Sequence, residues 1–218
     1  MSNPITTISR LKSEFPHDYE IICSAIERIR ATGSRGELGR IIAAEVGAYS
    51  LFDLQVIGGR LNNEIAKLPN PYRDAVRPFF TVQLFGMHHE LLTMSRTGVF
   101  ESMDQPIGDK EAFRKFCDIV PDGCFSWDDA GERNPVFRRP RNRLFYYLIS
   151  AFTMFVLEKP GHPVGMPFPG GFKVESRGSR YYCLIRDKEK EVCYSICNFC
   201  PALQSEEPDT GLRSGTKW

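Results

Sequence analysis

Apolar residues in the first half of the chain recur at spacings of three and four. Tyr19, Ile22, Ala25, Ile26 and Ile29 form one stripe and predict a helix of about three turns, ended by Gly33 and Ser34. Leu38, Ile41, Ile42 and Val46 predict a second helix. Ser50 is placed to cap a third, which carries Leu51, Leu54, Ile57 and Leu61 and stops at Pro69 and Pro71. The segment from Tyr72 to Ser95 predicts a longer helix, with Pro78 either kinking it or marking its first turn. Gly98 and Pro106 close that segment, and Asp109 then caps a short helix reaching Ile119. Residues Pro121 to Pro140 are rich in Gly, Asp, Pro and Arg, which predicts a loop.

The strongest apolar run, LFYYLISAFTMFVL from Leu144 to Leu157, is apolar on nearly every face. Its length of about 14 residues falls short of the roughly 20 a membrane span needs, so it predicts a central buried helix. The pattern then changes. GHPVGMPFPGG, from Gly161 to Gly171, predicts irregular backbone, and FKVES and YYCLI flanking RGSR predict a β-hairpin. The expected fold is a mainly α helical bundle, one domain over residues 1–204. Within it, residues 158–204 form a small lobe of β-hairpin and cysteine-rich, metal-binding segment. The polar stretch 205–218 predicts a flexible tail.

Composition fits this picture, since 42% of the 218 residues are hydrophobic, enough for one real core. With 28 basic against 27 acidic residues, overall charge gives nucleic acid or an anionic membrane no general attraction. The N-terminus carries charge and proline where a signal peptide needs an apolar stretch, so a cytoplasmic protein without membrane association is expected. Seven cysteines in such a chain favour reduced thiols or metal ligands over disulfides.

Four of those cysteines, Cys183, Cys193, Cys197 and Cys200, fall within YYCLIRDKEKEVCYSICNFC. Cys183 would sit on the second hairpin strand, and Cys197 and Cys200 would form a C-x-x-C knuckle. The fourth ligand is open between Cys193, giving an all-cysteine site, and His162 in the Pro/Gly loop, giving three cysteines and one histidine. The metal is open between zinc and a [4Fe-4S] cluster. Cys193, Cys197 and Cys200 also spell the C-x-x-x-C-x-x-C motif of radical S-adenosylmethionine enzymes. In those enzymes, however, the motif precedes the barrel it serves, and here only eighteen residues follow Cys200.

A basic cluster comprises Arg133, Arg138, Arg139, Arg141 and Arg143, ending at the start of the central helix. Guanidinium forks beside free helix amides suit an anionic coenzyme or substrate. The alternative is a solvated surface paired with Asp128, Asp129 and Glu132. His88 and His89 are adjacent, about 100° apart on a helix, and cannot form the i, i+4 ligand pair of a zinc protease. Cys117 and Cys124 are open between additional ligands and a reactive pair, with packing the favoured reading for Cys117. The chain has no G-x-S-x-G, P-loop or dinucleotide fingerprint, which removes the usual sequence support for those enzyme classes.

HPVGMPFPGGFKV, YYC and CNFC followed by Pro201 and Ala202 resemble an uncharacterised archaeal family found chiefly in methanogens and catalogued as a domain of unknown function. The resemblance covers most of the chain in length and helical layout, and its specific motifs lie between about His162 and Gln204. Cys193 stands where the family pattern has no cysteine, which makes the radical-enzyme spacing accidental and strengthens His162, or a ligand outside this segment. The resemblance implies an anaerobic cytosol and no established activity. Two classes stay open: a metal-stabilised interaction or assembly protein with a protein partner, and an iron-sulfur redox protein or enzyme acting on an anionic coenzyme.

Overall fold

The computed structural model of the chain describes residues 4–126 and 138–205. The helical half begins with α1 (Pro4–Glu14) and α2 (Pro16–Arg30), the latter opened by a proline whose missing N–H is not needed in a first turn. Ser34, expected to end the preceding helix, also starts α3 (Arg35–Gly47), its side chain accepting from the Glu37 N–H. Ser50 caps α4 (Leu51–Ala66) as predicted, in a reciprocal capping box with Asp53.

The long helix expected from Tyr72 to Ser95 is α5 (Tyr72–Thr81) and α6 (Met87–Arg96), joined by a π-helical turn over Val82–Gly86. The irregularity thus appears one turn after Pro78, which lies inside α5. After a 3-10 turn at Val99–Ser102, Asp109 caps α7 (Lys110–Gly123), accepting from the Ala112 N–H at 2.8 Å. This helix runs past the expected end at Ile119 and carries Pro121 within its last turn.

Helix α8 (Arg141–Ala151), continued by a second π turn at Phe152–Val156, is the expected hub, with nine of its eleven residues buried. Aromatic rings from three neighbouring segments press onto this hub: Tyr49 meets Phe145 at 5.2 Å, Phe100 meets Phe152 at 6.3 Å, and Phe116 meets Phe155 at 5.3 Å, all edge to face. Helix α3 approaches the Val99–Ser102 turn closely because Gly36 and Gly39 stand at the crossing. A Cβ on Gly39 would come within 2.5 Å of the Phe100 ring. At the other end of the hub, Arg35 donates to the Val156 carbonyl at 2.7 Å and pairs with Glu158 at 3.0 Å. Among the described residues, no single helix is long and apolar enough to cross a membrane.

The C-terminal lobe is more ordered than expected in one place and less in another. Pro167–Phe168 (β1), predicted to be irregular, pairs antiparallel with Phe172–Lys173 (β2) around Gly170 and Gly171, both at positive φ. This ladder takes the first two residues of the predicted FKVES strand. The remainder, Glu175–Arg177 (β3), forms the expected hairpin with Arg180–Cys183 (β4) across Gly178 and Ser179. Leu203–Gln204 (β5) then adds to β4 in parallel, with Cys183 opposite Gln204.

Candidate metal centre

Three structural devices turn the lobe's cysteines inward. Cys183 ends β4, where the parallel partner β5 fixes its register, and is buried. Ser195 accepts from the Cys197 N–H at 3.3 Å and starts the 3-10 turn Ile196–Phe199, which carries Cys197. Cys200 follows at the end of that turn, its N–H donating to the Cys197 carbonyl at 3.2 Å. Phe199, between the two cysteines, lays its ring edge to face on Phe116 of α7 at 5.6 Å, and Tyr147 of α8 donates its hydroxyl to the Tyr194 carbonyl at 2.9 Å. The knuckle is therefore held by the helical core.

The Pro/Gly loop meets this knuckle from the other side. The Gly161 N–H points at the Cys200 sulfur, 3.4 Å away, and His162 Nδ1 lies 4.0 Å from the Cys197 sulfur. Gly161 packs closely here, since a Cβ on it would sit 2.8 Å from Ile196 Cδ1 and would push the end of that side chain aside. The His162 ring is steadied by Phe168 of β1, edge to face at 5.8 Å.

Burial pushes the Cys197 thiol up to about 12, opposed by the hydrogen bond with Ser195 and reinforced by the neighbouring sulfurs of Cys200 and Cys183. Burial also raises Cys200, against hydrogen bonds from the Ala202 and Gly161 backbone and the charge of Arg186. Burial moves His162 the other way, to about 4, which keeps the imidazole neutral at pH 7. Cys183 and Cys200 thus lie near enough to Cys197 for charge to act between the sulfurs, the neutral imidazole of His162 approaches Cys197, and backbone donors and one guanidinium stand beside Cys200. Among the described residues, though, no three His, Cys, Asp or Glu side chains are gathered into a group that could hold a metal ion as they stand.

Cys193, by contrast with Cys183, Cys197 and Cys200, has an exposed side chain. Cys117 is fully buried in the α7 face of the core, and Cys124 is buried at that helix's end.

The arginines are also dispersed, each to a partner within the chain. Arg138 pairs with Glu14 at 3.0 Å. Arg139 grips Asp18 with bonds of 2.7 and 3.5 Å, and Asp18 also accepts the Arg141 backbone N–H at 3.3 Å. Arg141 donates to the Ala48 carbonyl at 3.1 Å and lies over the Tyr49 ring, while buried Arg143 donates to the Cys124 carbonyl at 3.0 Å. The anion at the start of α8 is thus Asp18 of α2, only 3% exposed. These four arginines do not converge on one open anion site. Arg133 and the acids expected to pair with the cluster lie outside the described residues. His88 packs its ring on Phe145 at 5.2 Å and His89 is exposed, a packing and solvent role as the spacing predicted.

The contribution of Gly161 and Arg186 to the cysteine site was not read from the sequence. Only the adjacency of Gly161 to His162 hinted at it.

The profile of an archaeal family described as "Uncharacterized protein conserved in archaea (DUF2115)" matches residues 34–205. A UPF0305 protein of Methanocaldococcus jannaschii is 25% identical over 174 residues, covering 78% of this chain and 96% of the relative. One from Methanopyrus kandleri is 29% identical over 140 residues, covering 64% and 88%. One from Methanothermobacter thermautotrophicus is 37% identical over 60 residues, and there the match spans only 37% of the relative and 28% of this chain. No solved structure matches the chain.

Proposed function

Because the chain belongs to the archaeal family DUF2115, whose description names no activity, its role must come from the site, and we propose that it binds one zinc ion through Cys183, Cys197, Cys200 and His162. The ion is a staple that locks the C-terminal lobe to the helical core, and the locked lobe serves as an interaction or assembly surface in a reducing cytosol.

The observation that carries this reading is the approach of His162 Nδ1 to the Cys197 sulfur, 4.0 Å, from a loop 35 residues earlier in the chain. Zinc with bonds of about 2.3 Å to sulfur and about 2.05 Å to nitrogen would place these atoms about 3.6 Å apart in a tetrahedron. A shift of a few tenths of an ångström closes the pair. The same spacing favours a single ion over an eight-atom iron-sulfur cube, whose ligands stand further apart. The donor chemistry also fits: three sulfur donors, an imidazole already neutral, and N–H and guanidinium groups near Cys200 that would offset the charge left on sulfur when a metal displaces the thiol protons. Bound zinc would supply cross-linking free energy available only to the folded lobe. The open-site enzyme reading loses support, because the arginines it needs are engaged with Asp18, Glu14 and main-chain carbonyls.

The test is anaerobic purification with elemental analysis and an absorption spectrum. One zinc per chain and no visible band are expected. Cys193→Ser should retain full occupancy, whereas Cys200→Ser and His162→Ala should lose it. Chelation should accelerate amide exchange across residues 158–204. A brown protein with iron and sulfide would replace zinc by a cluster, and a metal-free protein of unchanged lobe stability would end the proposal.

A further inference from the structure

A cleft of about 680 Å³ opens between the helical core and the C-terminal lobe. That volume lies within the range of small-molecule sites. The core lines it with Asp109, Glu111 and Lys115 from the start of α7 and with Glu158 just beyond the hub, and the lobe lines it with Arg180 and Arg186. Lys115 and Glu111 pair with each other at 2.6 Å, so the charge left is carboxylate on the core and guanidinium on the lobe. Met154, Phe155 and Phe199 add apolar lining.

Glu158 carries the strongest sign of use. Its φ of 55° is left-handed, at the position after the helix end where glycine is the usual residue. Arg35 engages its Oε2 at 3.0 Å, but that acid is half exposed, and such a pair contributes too little to offset the backbone strain. The other oxygen, Oε1, has room because residue 108 is glycine, where a Cβ would stand 2.8 Å from it. A strained acid kept at the edge of a cleft points to a role for its side chain. Across the lobe boundary Arg186 is held by Asp187 at 2.7 Å and reaches the Cys200 carbonyl, whereas exposed Arg180 makes no ion pair among the described residues.

We propose that this cleft binds a zwitterion of about dipeptide size with an apolar body, its ammonium group held by Glu158 and its carboxylate by Arg180. The two charges fix the direction in which the ligand lies, and the apolar lining covers its body. The site rests on the packing of the lobe against the core and not on the identity of the ion that the cysteines hold.

Leucyl-phenylalanine, its N-acetyl form and its C-terminal amide are suitable probes, because they share one apolar body and each capped form lacks one charge. Titrations of the full chain at low ionic strength, followed through the backbone amides of Glu158 and Arg180, should show saturable binding of the free dipeptide. It should bind about tenfold tighter than either capped form, the worth of one charge-assisted hydrogen bond. Arg180→Gln should lower the affinity for the free dipeptide to that of the amide and leave the amide unchanged. Glu158→Gln should do the same with respect to the N-acetyl form. The proposal is overturned if the free dipeptide does not bind, if the capped forms bind as tightly, or if Arg180→Gln changes nothing. Arg180 is exposed on β4, so its variant decides the matter even if Glu158→Gln fails to fold. Metal content is measured on the same sample, so failure of the zinc reading and failure of this one are distinct results.

Discussion

Replacing Asp18 by alanine isolates the interaction that organises the arginine cluster. The carboxylate is 3% exposed and accepts three hydrogen bonds: two from the Arg139 guanidinium and one from the Arg141 N–H at the start of α8. Removing one partner of a buried ion pair costs about 3–5 kcal/mol, because the other charge is left uncompensated. The Arg139 side chain is 37% exposed, so water recovers part of that loss and the expected cost is about 3 kcal/mol. For a chain of this size that lowers Tm by about 6–12 °C, measurable by urea and thermal unfolding followed by circular dichroism. The variant should also acquire what the wild type lacks, an open anion site formed by Arg139 and the helix amides. Sulfate should therefore stabilise Asp18→Ala more than the wild type, with the wild-type response correcting for the general salting effect. A loss below about 1 kcal/mol, or equal sulfate responses, would refute the assignment of Asp18 as the resident anion.

Three further outcomes are expected. Gly39→Ala drives a methyl group into the Phe100 ring and should destabilise by about 1–3 kcal/mol in denaturant titration, with no change in metal content. Phe199→Ala removes the ring that seats the cysteine knuckle on Phe116 and should cost about 2–3 kcal/mol while weakening zinc retention against a chelator, so unaltered retention would separate the knuckle from the core. Burial, aided by the charge of His89, holds the His88 pKa below its usual 6.5. Its stabilising contribution is then complete above about pH 6.5 and lost as the pH falls through the folded-state value, so His88→Gln should flatten the stability profile between about pH 7.5 and 5.

The helical half was legible because its signals are local. Ser50 and Asp109 cap the helices assigned to them, and the run from Leu144 is the buried hub. Errors arose where a distant partner decides the conformation. Pro167 and Phe168 look irregular in isolation and become a strand only because two glycines at positive φ fold Phe172 and Lys173 back onto them. Helix α1 carries a weaker apolar pattern, and Pro16 two residues beyond its end obscured it. The π turn at Val82–Gly86 has no signature beyond a proline one turn earlier.

The same distinction explains the two candidate sites. Charge along the sequence counts arginines but not the acids that reach them, and the acid that matters, Asp18, lies about 120 residues upstream on another helix. A run of guanidinium groups therefore reads equally as a binding site or as a paired surface, and in the structure four of them tether the chain to itself. Cysteine spacing leaves the fourth ligand open between Cys193 and His162, and the structure adds that the Cys193 side chain is exposed while His162, remote in sequence, lies 4.0 Å from Cys197. Both outcomes follow from one physical fact: a buried charge or ligand set is completed by whichever group the core delivers, so the decisive residue is one that helix packing, not sequence spacing, positions. For the proposed metal centre those positioning contacts are the Phe116 and Phe199 rings, the Tyr147 hydroxyl and the Gly161 N–H. Disturbing any of them should loosen the cysteines without touching a ligand.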